Sequence, residues 1–167
     1  MRAGTLGAFT ADVIGGLLRA GVGPLLCLGI VAPFVFPPVF GDAWLRAGVV
    51  VTWLTPWFVM HFLTAPVSMA LHVAGRQRLA LSLQLAGLAL RSGAVLVSAR
   101  LAGGHLSEAY ALSGLAFYLV YLAVIARTVG CRAAHLLAAT RTAVPTCMVW
   151  VALAAVVVAC ARALGGT

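Results

Sequence analysis

The sequence predicts an all-α protein, a polytopic transmembrane bundle of five spanning helices with its N-terminus in the cytoplasm. Three observations carry that expectation. Of 167 residues, 63% are hydrophobic and 8% charged, where a soluble domain has about 25% charged, and the mean hydropathy is +1.11. The apolar residues gather in runs of about 20, enough to cross roughly 30 Å of hydrocarbon as a helix. The charges sit between those runs, and their sign bias alternates. A single membrane domain, 1–167, is therefore expected, with no soluble segment or linker.

The runs place spans at 20–40, 48–71, 79–99, 109–126 and 143–161. The opening stretch, "MRAGTLGAFTADVIGG", is short in apolar residues and broken by Gly7 and Asp12. It reads as neither a signal peptide nor a span, which leaves Asp12 ahead of the membrane. The first span carries Pro24, Pro33, Pro37 and Pro38, and the second Pro56 and Pro66. Each proline frees a helix carbonyl that a neighbour or water must satisfy. Irregular helices lining a packed interior or a cavity are one reading; the ordinary frequency of proline in membrane helices is the other.

The charged set is eleven arginines, no lysine, and three acids, giving +8. Arg2 and Arg19 precede the first span, Arg76 and Arg78 follow the second, and Arg127, Arg132 and Arg141 follow the fourth. The other two separators balance Asp42 against Arg46 and Glu108 against Arg100. Basic separators stay in the cytoplasm, which sets the orientation; Arg162 at the far end weakly opposes it. No basic cluster interleaved with aromatics is present, so nucleic acid is not an expected partner. Cys27, Cys131, Cys147 and Cys160 have no metal-ligand spacing and read as structural.

One charge lies inside a run. Arg91 is near the middle of the third span, where an arginine costs at least about 2.5–3.5 kcal/mol. Gln84, Arg91 and Ser98 are seven apart and share a stripe, with Gly87 beside it, so the stripe is expected to face an interior. Arg91 then binds helix carbonyls and water, or pairs with an acid outside this chain, or meets an anionic substrate; a planar guanidinium suits phosphate well. On the second span Trp53, Trp57, His61, Thr64 and Ser68 share a face. His61 is either a core histidine or a second lumen group, and Trp44, Trp53 and Trp57 also fit an interfacial aromatic belt. No intramembrane acid pair, metal motif or nucleophile set can be assembled, so an enzyme, a metal site and a cofactor are not expected.

The stretch 33–79 resembles the C-terminal half of the polysaccharide flippases of the MOP superfamily, the translocases of O-antigen and capsule repeat units. A proline-rich helix ends in Phe40–Gly41, followed by Asp42, Trp44 and the pair Ala47–Gly48. A helix with Pro56–Trp57 and Pro66–Ser68 comes next and ends in the turn Gly75–Arg76–Gln77. The resemblance implies two helical lobes around a cationic cavity. It implies movement of an anionic polyprenyl-pyrophosphate-linked oligosaccharide across a bacterial inner membrane, for cell-surface polysaccharide or lipopolysaccharide synthesis. Arg91, Gln84 and His61 would line the substrate path, and Arg76 with Arg78 would form a cytoplasmic patch near lipid phosphates. Alternating access needs two bodies, and five helices supply part of one lobe. The expected partners are therefore the lipid-linked substrate, membrane lipids, and a missing N-terminal lobe or another subunit. A non-transporting structural or assembly subunit is the alternative, and a membrane-embedded transferase a weaker one.

Overall fold

A computed structural model describes residues 3–101, 105–131 and 133–165, and no strand occurs among them. The first helical stretch begins far earlier than the apolar run. Helix α1 (Ala3–Leu17) passes through a π turn (Leu18–Val22) directly into α2 (Gly23–Phe40). The first span was expected at 20–40 with Asp12 ahead of it; the helix begins well before that run, and Asp12 sits within it. Helix α1 is held by contact with the chain's last helix.

A short 3₁₀ turn (Asp42–Trp44) leads into α3 (Leu45–Thr64). The expected second span, 48–71, is interrupted: the chain turns through Ala65–Ser68, around Pro66, before a short α4 (Met69–Val73). Helix α5 (Gln77–Leu101), α6 (Leu106–Thr128) and α7 (Ala133–Gly165) follow. At 33 residues α7 starts nearly three turns before the expected 143. Arg2 and Arg132, used in assigning orientation, fall outside the described residues. Among the described residues, five stretches are long and apolar enough to cross a membrane: Gly7–Phe40, Asp42–Val73, Gln77–Leu101, Leu106–Thr128 and Ala134–Ala163.

The spans form an open row. Helix α5 packs on α6, α6 on α3, α3 on α2 and α2 on α7, with α1 lying along α7. Helices α5 and α7 are the edges, and both present exposed leucines and valines (Leu85, Leu88, Leu96; Val149, Leu153, Val156) to the surroundings. Apolar surface on that scale belongs against lipid or another protein.

The up-and-down path brings Arg76, Arg78 and Arg127 to one end, here the basic end, where two turns are built alike. Helix α4 closes with Gly75 at φ 71°, and α6 with Gly130 at φ 70°. In each, the next N–H reaches back five residues, Arg76 to Leu71 O and Cys131 to Ala126 O, both at 2.8 Å. This six-to-one closure needs a left-handed residue, and glycine takes that conformation without steric cost.

Prolines do not break α2, which is helical through Pro33, Pro37 and Pro38. Pro33 leaves the Gly29 carbonyl without its helix partner, and the Thr52 hydroxyl donates to that oxygen at 2.7 Å from α3. The freed acceptor thus becomes an interhelical link. Beside it, Gly48 packs directly on the backbone of Ala32 and Pro33.

Candidate functional site

Arg91 finds its neighbours inside the chain. Its Nε donates to the Gly87 carbonyl at 3.0 Å, one turn back on α5. Its guanidinium carbon lies 5.5 Å from the Phe117 ring centroid and 5.9 Å from that of Tyr118, both on α6. Gly87 makes this possible, because a Cβ there would collide with the Phe117 ring. The sequence left Arg91 without an internal counter-charge. The structure supplies two aromatic faces and a carbonyl instead, a combination that attracts a cation without an acid.

The same aromatic face gathers residues from α3. Tyr110, Phe117, Tyr118 and Tyr121 line one side of α6, with Gly114 among them. Trp57 lies in the space Gly114 leaves, 5.1 Å from the Tyr110 ring. His61 stacks on Trp57 and meets the Tyr118 ring edge-on at 4.9 Å. Tyr118 therefore touches both Arg91 and His61, two residues that sequence reasoning could associate only by depth. The Trp57 Nε1–H is buried without an acceptor among the described residues.

A groove of about 490 Å³ opens beside this cluster, bordered by Arg91, Ser92 and Tyr110 and by the apolar Leu88, Val95 and Leu96. Every polar group at its border offers a hydrogen-bond donor, and no carboxylate is present. Such a border suits an anion. His61 borders a different, apolar groove with Leu17, Leu25 and Phe58. The two side chains thus share Tyr118 without sharing a lumen.

Gln84 is placed differently from the expectation. It is exposed, while Gly87 is buried and Arg91 and Ser98 are half-buried. The stripe runs along the rim of the covered arc, because α5 has a single long neighbour and only a narrow strip of it is covered. Arg76 and Arg78 are exposed at the basic end, where a cytoplasmic patch was expected.

The motif residues 40–48 and 75 have local structural duties. Gly41 has φ 96°, Phe40 and Trp44 pack ring to ring at 5.5 Å across the turn, and Asp42 opens the 3₁₀ turn. Gly75 closes α4. The four cysteines are all unpaired, and burial pushes the Cys131 thiol upward in pKa, away from reactivity. Among the described residues, no group of three histidine, cysteine or acidic side chains gathers as a metal site.

Tyr110 and the orphaned Trp57 N–H were missed by sequence reasoning. A helical wheel of 110–121, with Tyr110, Gly114, Phe117 and Tyr121 in line, was the available signal. Comparison of the chain with protein-family models, with curated proteins and with solved structures finds no match in any of the three.

Proposed function

We propose that this chain is a helical part of a translocator for an anionic lipid-linked glycan in a bacterial inner membrane, with the basic end facing the cytoplasm. The observation that carries the reading is the carboxylate-free groove at mid-span, with the Arg91 guanidinium on its border. A pyrophosphate entering there meets a planar fork whose Nε is already fixed and whose terminal amines remain to donate. Ser92 and Tyr110 add hydroxyl donors from two helices. Passage involves no covalent step, only recognition of charge in a low-dielectric setting where each such contact is strong. The resemblance in 33–79 supports the choice of a polyprenyl carrier, and the exposed edges α5 and α7 leave surfaces for the rest of a two-body transporter.

The test is binding of a short polyprenyl pyrophosphate to the purified protein in detergent, followed through tryptophan emission, with Trp57 in contact with Tyr110 as reporter. Saturable binding is expected, weakened about tenfold or more in Arg91→Gln, as befits loss of charge-assisted bonds. Binding that is equal in Arg91→Gln and the native chain would remove Arg91 from the site.

A second reading, an assembly subunit without transport, is favoured by one observation: Arg91 is already held by Gly87, Phe117 and Tyr118. That reading expects no pyrophosphate binding, and a lower unfolding temperature in Arg91→Gln.

A further inference from the structure

We propose that the groove between α1 and the start of α7 binds the phosphoethanolamine headgroup of a phospholipid in the leaflet at the basic end. The groove holds about 340 Å³, and its polar border is Asp12 from α1 and Arg19 from the π turn, with His135 and Thr142 from α7. Each pair is seven residues apart, so each lies on one helix face. Gly15 and Ala139 pack between them: a Cβ at Gly15 would meet that of Ala139 at 3.4 Å. That contact sets the register. Asp12 stands near the level of His135, and Arg19 near that of Thr142.

These groups are not satisfied by one another. Asp12 and His135 make no hydrogen bond or ion pair with any described residue. Arg19 donates its Nε to the Gly15 carbonyl of its own helix at 3.2 Å, leaving its terminal amines free to donate outward.

Depth points to a headgroup. The uncharged run from Arg19 to Asp42 covers residues 20–41, and that from Arg141 to Arg162 covers 142–161. Both lengths correspond to about 30 Å of helix, the thickness of the hydrocarbon layer. Arg19 and Thr142 therefore fall at the same hydrocarbon edge, the level of lipid phosphates. Asp12 lies two turns, about 10 Å, toward water. The Arg19 bond to Gly15 shows its side chain leaning back toward Asp12, which shortens the gap between cation and anion.

A phosphate at the Arg19 fork places the tethered amine of ethanolamine beside the Asp12 carboxylate. A primary ammonium carries three N–H donors for that acceptor, and a choline nitrogen carries none. A phosphatidylglycerol headgroup offers no cation and keeps a net negative charge facing Asp12. The site should thus select ethanolamine over both. The inference is independent of Arg91 and its groove.

The experiment offers delipidated protein an equal mixture of phosphatidylethanolamine, phosphatidylcholine and phosphatidylglycerol with identical chains, and counts retained lipids by mass spectrometry. Native protein should favour ethanolamine about tenfold, as expected for one charge-assisted hydrogen bond. Asp12→Asn should bring the three to parity with the total retained unchanged, and Asp12→Glu should keep the preference. Arg19→Gln should lower retention of all three, whereas Arg162→Gln, at the opposite end, should alter neither quantity. Equal retention of the three lipids by the native chain, or an undiminished preference in Asp12→Asn, would overturn the proposal. Asp12 and Arg19 are exposed, so unfolding temperatures of their variants should match the native one and verify that the fold is intact.

Discussion

At the basic end, Leu71, Ile125 and Val129 are sealed from the surroundings by Ile14, Val67 and Tyr121, contributed by α1, α6 and the irregular turn after α3. At the opposite end, α2 and α3 meet through Gly29 and Gly48 and a threonine hydroxyl on a proline-freed carbonyl, and α3 meets α6 through the pair Arg46–Glu108. The first region is packed like the core of a soluble protein. The second is built as membrane helices are, by close backbone approach and a few polar contacts. The difference follows from where water lies. Helices that run past the hydrocarbon edge gain the hydrophobic effect, and those within lipid tails gain little from burying one leucine against another.

Truncation in the basic-end core should have the largest effect. Leu71 is 0% exposed, and Leu71→Ala should cost about 2–5 kcal/mol. Leu85→Ala on the open face of α5 should cost little, since Leu85 is 58% exposed. Both are read as shifts in a denaturant titration in detergent micelles. Equal shifts would count against a sealed core at the basic end.

Small-to-large changes should sharpen it. A Cβ at Gly48 would stand 2.7 Å from the carbonyl oxygen of Ala32 and from the Cα of Pro33, all backbone. At Gly87 it would meet only the Phe117 ring. Gly48→Ala should therefore separate α2 from α3 at a cost of about 1–3 kcal/mol. Gly87→Ala should cost less, because a side chain can rotate where backbone cannot. Unfolding temperatures of the two variants give the order, and the reverse order would count against close approach as the organising contact.

How much of this was legible in the sequence depended on the physics involved. Five spans in the correct order followed from apolar run length, because the bilayer imposes that length. Helix α1 was not legible as an apolar run, since Gly7 and Asp12 break it, although it packs against α7. Its signal was the spacing Gly7, Ala11, Gly15, small residues four apart that let helices approach closely. The polarity of the Arg91 stripe was legible, and its surroundings were not. The aromatic rings that receive Arg91 are 26 and 27 residues further along, and only the packing of α5 on α6 brings them to it. Asp12 and His135 are 123 residues apart and share a groove for the same kind of reason.

The smallest expected effect is at the polar contact between α3 and α6. Arg46 meets Glu108 at 3.1 Å with Arg46 56% exposed, and Ser107 donates to the other carboxylate oxygen at 2.8 Å. Glu108→Gln should change stability by about 0–1 kcal/mol, and less as salt is raised. A larger loss would show that this end relies on charge more than on close approach.

The π turn at Leu18–Val22 sets a phase. Gly15 packs on Ala139 of α7, and Gly23 packs on Trp150 of the same helix. Eight residues of unbroken α-helix would turn the second glycine about 80° away from the first. The wider turn takes up one extra residue, roughly 100° of rotation, and returns both to the α7 side. A frame one residue shorter there would leave the composition of α1 intact and swing Asp12 out of its groove. The direction in which the N-terminal acid looks is therefore a matter of chain length within a single turn.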